Sequence, residues 1–463
     1  MLRSRREPTT SRRRRWLLPL CFLGLVLLAA APPAGAAPRV STDDPLAGGG
    51  LQWGLDRIGV ERAWPRATGT GTTIAIVDSG VDLGHPDLRG QIDRHVSCIG
   101  AAGDWRACRG PGQDDHGHGT HVAGIAAATT DNGEGVAGVA PNARLLAVRV
   151  LQESCSGGEC TASGTASDVA AGIRWAVAHG ADVINLSLGG GALQSVAGCA
   201  FCPAIEEAWD AGVISVVAAG NDAILPAGVG DTPAVVVTAT TRDDGRASYS
   251  NRNGALLEAA RWPVAAPGGE AERDPADCGI GGQPAGILST YLSGADRAGY
   301  ACLAGTSMAA PHVSGALALL RSAGLAPQAA IERLLGTATD LGAPGRDDVF
   351  GYGRIDLDRA LGGLSSASAG PPASAPSSTG ATTPPPPPST APAATAPPAT
   401  SAPPAVVAPP ATAPPTPLGG EAAGPGAATE GEVPGWLAAT AIAAVAASSI
   451  ATAAGAWHVS RKV

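Results

Sequence analysis

Positive charge is scarce in this chain. Lysine and arginine together number 31 against 40 aspartates and glutamates, a formal net charge of −9 over 463 residues. Residues 1–37 hold seven arginines and one glutamate, so removing them takes away +6 and leaves −15. An acidic surface of that size argues against nucleic acid or an anionic surface as a partner. Large apolar side chains are scarce in residues 364–434, where Pro, Ala, Ser and Thr dominate and Pro384 to Pro388 run consecutively. Such a tract cannot build a core and reads as a disordered, semi-rigid linker. At about 3.1 Å per residue its reach is on the order of 200 Å. Also missing is a loop with a run of oxygen ligands: Asp243-Asp244-Gly245 has the composition of a turn. Structural calcium therefore has no clear motif to hold it, and no cofactor is required.

The ends of the chain are patterned for export. Arginines precede an almost wholly apolar run at 16–31, and Ala34-Gly35-Ala36 offers small residues for cleavage. Residues 1–36 read as a signal peptide, with an uncleaved anchor as the competing reading. Residues 37–52 form a short N-terminal extension. Of nine cysteines, Cys21 falls in the signal and eight remain, spaced as Cys98 and Cys108, Cys155 and Cys160, Cys199 and Cys202, Cys278 and Cys302. Proximity suggests those pairings among the 105 that eight cysteines permit. Cys199-Ala-Phe-Cys202 has the spacing of a redox motif, but its Gly- and Ala-rich surroundings favour a structural bridge. At the other end, Trp436 to Trp457 is uncharged, 22 residues long and tryptophan-flanked, with Arg461 and Lys462 behind it. This reads as a transmembrane helix at 436–457 with a cytoplasmic tail at 458–463. Its many alanines leave a peripheral helix open. The expected location is the cell membrane, single-pass, with the large central domain outside.

Between these ends, residues 53–363 suffice for one large α/β domain. Strand-like runs at Thr73 to Val77, Leu145 to Val150, Val183 to Leu186, Val213 to Val217 and Ala234 to Ala239 alternate with helical patterns such as Asp168 to His179 and Ile205 to Ala211. That alternation implies a parallel central sheet with helices on both faces. Thr73-Ile74-Ala75-Ile76-Val77 is apolar without alternation, as a strand buried on both faces requires, and it ends in Asp78, where open α/β sheets place their crevice. Asp115 to Gly124 crowds glycines around His116, His118 and His121 at a helix start near Val122. His-x-His-x-x-His is also a zinc pattern, so a metal-dependent hydrolase using this cluster is a minor alternative. In metallo-β-lactamase-like hydrolases an Asp precedes the third histidine; here Thr120 stands there. Gly305-Thr306-Ser307-Met308-Ala309-Ala310-Pro311-His312 sets a serine at a helix N-terminus, where the backbone dipole is positive, with Pro311 in the first turn.

Ile-Val-Asp-Ser-Gly-Val-Asp at 76–82, His-Gly-Thr-His-Val-Ala-Gly at 118–124 and Gly-Thr-Ser-Met-Ala-Ala-Pro-His at 305–312 follow one another in the order Asp, His, Ser. The chain resembles the subtilase (subtilisin-like) serine protease family in all three segments. The resemblance implies a subtilisin-like fold and a serine endopeptidase acting on polypeptide, without a catalytic metal. Ser307 would be the nucleophile, His118 the base and Asp78 its orienting carboxylate. Asn221, after Val216-Val217-Ala218-Ala219-Gly220, would donate to the oxyanion. Ser187, Leu188 and Gly189 would form one edge of the substrate groove, with Ala162-Ser163-Gly164 opposite. Ala218, Ala219 and Gly220 would line the specificity pocket, with Asp222 at its rim. About 15 residues separate the cleavage site from Trp53, too few for the prodomain many secreted subtilases carry, so disulfides and a short N-terminal wrap are expected to serve in its place. Short extension, protease, Pro-rich linker and C-terminal helix resemble the mycosins of type VII secretion, which implies secretion-system components as partners. The alternative role is a scaffold within such a machine, with dispensable proteolysis.

Overall fold

The computed structural model describes residues 42–48, 50–156, 159–188, 199–223, 228–253, 259–270, 278, 285–294, 297–364 and 456–461. The expected signal peptide, nearly all of the linker and residues 436–455 lie outside the described residues.

The central strands are β1 (Thr73–Asp78), β2 (Ile92–Ser97), β3 (Arg144–Arg149), β6 (Val183–Leu186), β7 (Ile214–Ala218), β8 (Ala234–Thr240) and β9 (Trp262–Pro267). They form one sheet in the order β2-β3-β1-β6-β7-β8-β9, parallel throughout. The remaining strands make hairpins, β4 (Gln152–Ser156) with β5 (Glu159–Thr165) and β10 (Ile287–Gly294) with β11 (Arg297–Leu303). A last strand, β12 (Ala456–Arg461), pairs antiparallel with β5.

Two apolar layers explain the unbroken hydrophobicity of β1. Ile74 and Ile76 point into one, with Val122 and Ile125 of the helix His118–Ala127 and with Val313 and Leu317 of the helix Thr306–Ser322. Ala75 and Val77 point into the other, with Val169 and Ile173 of the helix Ala166–Ala178 and with Ile205 of the helix Cys202–Asp210. A strand sandwiched this way has no solvent face to fill with polar residues. Strand order turns back between β1 and β6, so the carboxyl end of β1 borders a topological switch point, where such sheets hold their sites. Asp78 is the last residue of β1.

The helix Thr306–Ser322 is buried from Thr306 to Leu320 and runs through the core. Pro311 lies inside it rather than in its first turn. Lacking an N–H, it cannot bond the carbonyl of Ser307 four residues back. Ser187 fills that gap, its Oγ donating to the Ser307 carbonyl at 2.7 Å. The histidine helix begins at His118 itself, four residues before the expected start.

All four cysteine pairs are bonded as their spacing suggested. The extension wraps the domain: buried Asp44 accepts from the N–H groups of Asp131 and Asn132, and Leu46 N–H donates to the Gly135 carbonyl at 2.7 Å. Gln52 pairs both ways with the backbone of Ala137, at 2.8 Å each. Among the described residues no helix is long and apolar enough to cross a membrane.

Candidate active site

Fully buried Asp78 accepts two bonds on Oδ1, from Ser79 N–H at 2.7 Å and from His118 Nδ1 at 2.8 Å. A donor at Nδ1 leaves Nε2 of a neutral His118 as an acceptor, the form a general base needs. The helix carrying His118 is brought against β1 by Gly119, whose N–H donates to Ser79 Oγ at 2.9 Å. A Cβ at Gly119 would collide with the carbonyl oxygen of Gly80. Gly117, just ahead of the helix, has φ +102°, a conformation that disfavours other residues.

Asp114, which the motifs did not single out, secures this helix start. Its Oδ1 accepts the N–H groups of His116 and Gly117 at 2.9 Å each. Its Oδ2 accepts Thr120 N–H at 2.9 Å and Thr120 Oγ1 at 2.6 Å. These N–H groups belong to the turn and first helical residues, which lack intrahelical partners. Burial by itself lowers the pKa of His118, but the charge and hydrogen bond of Asp78, with the charge of Asp114, outweigh it and hold the imidazole above its usual range.

The three histidines do not converge on a common point. His121 Nε2 donates to the carbonyls of Ile287 and Ala301 at 3.0 Å each, and burial lowers its pKa to about 3. The ring of His116 is 6.4 Å from that of His118, and His118 spends Nδ1 on Asp78. The arrangement does not favour the metal-dependent hydrolase. Among the described residues the one group of three candidate ligands within reach of a single ion is Glu153, Cys155 and Cys160, whose sulfurs are joined in a disulfide.

Ser307 is the second residue of its helix and is buried. Its Oγ donates to the carbonyl of Ser187 at 3.3 Å, and among the described residues it makes no hydrogen bond to His118. Behind it runs a relay of side chains. Ser314 Oγ donates to Asn185 Oδ1, Asn185 Nδ2 to Ser187 Oγ, and Ser187 Oγ to the Ser307 carbonyl, at 2.8, 2.9 and 2.7 Å.

Asn221 lies beside Ser307 with its amide orientation fixed. Its Oδ1 accepts from Thr306 N–H at 3.0 Å and Thr306 Oγ1 at 2.9 Å. Nδ2 is thereby turned outward, 3.4 Å from where a Cβ on Gly305 would sit. The bend ahead of it needs Gly220, at φ +99°, where a Cβ would come 2.5 Å from Asn251 Nδ2. Asn251 pins the same bend through the Ala219 carbonyl at 3.0 Å and Asp222 N–H at 2.8 Å.

Ser187 and Leu188 are buried, and both the hydroxyl and the carbonyl of Ser187 are engaged with Ser307. Ser187 Oγ thus caps the Ser307 carbonyl that Pro311 leaves without its helical donor. Gly189 lies outside the described residues. Ala218, Ala219 and Gly220 are buried at the end of β7, and Asp222 is exposed. Ala162 to Gly164 lie in β5, between β4 and β12.

The model of the subtilase family matches residues 69–353. Thermitase from Thermoactinomyces vulgaris is 39% identical over 324 residues, covering 67% of this chain and 95% of thermitase. An extracellular protease from Xanthomonas campestris pv. campestris is 37% identical over 321 residues, covering 60% of this chain and 49% of that protein. Among solved structures, a protease from Pseudoalteromonas arctica superposes with a TM-score of 0.56 at 32% identity, over 70% of this chain and 99% of its own. With the parallel sheet and the buried Asp–His pair at its switch point, these likenesses give one conclusion: the chain belongs to the subtilase family and is a subtilisin-like serine endopeptidase.

Proposed function

We propose that Asp78, His118 and Ser307 form the catalytic triad of this endopeptidase, with Asn221 as oxyanion donor. The observation that carries the reading is the buried 2.8 Å contact of His118 Nδ1 with Asp78, which leaves Nε2 free to take a proton. Rotation of the Ser307 hydroxyl from the Ser187 carbonyl toward His118 Nε2 would start the reaction. Oγ attacks the scissile carbonyl carbon, its proton passes to Nε2, and Asp78 stabilises the imidazolium. Asn221 Nδ2 donates to the oxyanion; the imidazolium then protonates the leaving amine, and water attacks the acyl-enzyme by the same route reversed. Fluorophosphonate labelling of the purified full-length chain, with the modified residue located by mass spectrometry, tests the assignment. Label on Ser307, lost in His118→Ala, supports it; no label on folded, disulfide-bonded protein overturns it.

Replacing Asn221 by alanine is expected to lower kcat by about 100- to 1000-fold, the cost recorded for this donor in subtilisin, with KM nearly unchanged. A KM that rises as much as kcat falls would make Asn221 a ground-state contact.

The wider organisation belongs to the same proposal: signal peptide 1–36, extension 37–52, peptidase domain 53–363, linker 364–434, transmembrane helix 436–457 and cytoplasmic tail 458–463, in a mycosin-like, membrane-anchored protease linked to secretion machinery. Its support is the uncharged, tryptophan-flanked stretch followed by Arg461 and Lys462. The ladder between β12 and β5 is the competing placement, since it sets residues 456–461 beside the catalytic domain. A Ser460→Cys variant decides between them. A membrane-impermeant maleimide is expected to leave it unlabelled in intact cells and to label it after lysis; labelling before lysis sinks the anchor.

A further inference from the structure

Ser289-Thr290-Tyr291 is a run of three hydroxyl side chains in β10, and none of the catalytic motifs includes it. All three donate to backbone carbonyls around the start of the His118 helix. Ser289 Oγ reaches the carbonyl of His121 at 2.8 Å, Thr290 Oγ1 that of Thr120 at 2.7 Å, and Tyr291 OH that of His116 at 3.1 Å. His121 answers from the helix side by donating to Ile287 of β10 and Ala301 of β11.

Ser289 and Thr290 hold the helix beyond His118, as ordinary packing does. Tyr291 holds the turn before it. Its ring packs against Gly117, where a Cβ would come 2.5 Å from two ring carbons. Gly117 is the residue immediately before His118, and His116 and Gly117 share the carboxylate of Asp114. The turn is thus fixed on one side by Asp114 and on the other by Tyr291. We infer that Tyr291 is a positioning residue for His118, setting the direction of the imidazole toward Asp78 and Ser307 by clamping the His116-Gly117 turn. The inference rests on the triad reading above.

Tyr291→Phe removes one oxygen and keeps the ring on Gly117. Tyr300→Phe is the control: Tyr300 lies in β11, paired with Thr290, and its hydroxyl donates to Asp87 at 3.1 Å instead of to the histidine turn. Both variants are assayed on a peptide substrate across pH, with rates normalised to the fraction that fluorophosphonate labels to completion. Loss of one such hydrogen bond from the transition state corresponds to about a 5- to 10-fold drop in kcat. Tyr291→Phe is expected to show that drop with KM within about twofold. Its acid limb should move to lower pH, because a loosened His118–Asp78 pair gives up part of what raises the imidazole pKa. Tyr300→Phe is expected to match the parent enzyme in both. Equal losses in the two variants, or an unshifted acid limb with unchanged kcat in Tyr291→Phe, overturn the inference and leave the triad standing. Failure of the parent chain to label at Ser307 overturns the triad reading and this one with it.

Discussion

Substituting Ser307 by alanine is expected to lower kcat by roughly 10⁶-fold while leaving the thermal midpoint close to that of the parent protein. The magnitude is that of nucleophile loss in subtilisin, where removing the serine or the histidine alone costs about as much as removing the whole triad. Stability should barely change, because Ser307 Oγ makes one long bond, at 3.3 Å, to the Ser187 carbonyl. The Ser307 carbonyl, which Ser187 does need, is untouched by the change. His118→Ala should match it in kcat but unfold more easily. Asp78 is fully buried and its Oδ2 already lacks a partner among the described residues, so deleting the imidazole leaves a buried carboxylate with, among those residues, only Ser79 N–H. The double variant should be no slower than either single one. Steady-state kinetics on a peptide substrate and thermal unfolding of the three proteins check this. Additive losses in kcat would mean that the two residues do not act as one unit. The same Ser307→Ala chain addresses the scaffold alternative: secretion that survives it but fails on deletion assigns the protein a structural role.

The parts of the structure that the sequence made legible are those in which one short segment carries the whole signal. β1 is an example: its unbroken apolar run could only suit a strand covered on both faces, and its terminal carboxylate then had to lie at the sheet's crevice. The four disulfides are another, because each joins cysteines that are neighbours in the chain. Ser187 marks the opposite case. Its hydroxyl is held by a carbonyl that Pro311 leaves unpaired, 120 residues away, and nothing local to Ser187 records that need. Asp114 lay in view, four residues ahead of His118, and an acidic residue before a helix start is a capping signal. Ser289, Thr290 and Tyr291 could not be placed from sequence, since their partners are backbone carbonyls, which carry no residue identity.

Asp78→Asn separates orientation from charge, and its expected effect is a fall in kcat of about 10⁴-fold at neutral pH. The side chain keeps its size, but Ser79 N–H and His118 Nδ1 both meet the same oxygen of Asp78. With the amide nitrogen in that place it donates to Nδ1, which forces the ring proton onto Nε2, and Ser79 N–H loses its acceptor. That tautomer has no lone pair for the Ser307 proton. Loss of the negative charge also changes the pH profile. In the parent enzyme the base must be neutral, so kcat/KM rises with pH through the His118 pKa, which lies above the ordinary imidazole value of 6.5. Burial pulls that pKa down, and Asp78 supplies two of the three contributions pulling it up, with Asp114 the third. With Asp78 neutralised, burial acts against Asp114 alone, so the acid limb of the residual activity should move to lower pH. A pH series of kcat/KM for the two proteins measures both effects together. A large loss with an unmoved limb would mean that another group sets the pKa of the base; a moved limb with little loss would mean that Asp78 charges the site without orienting His118.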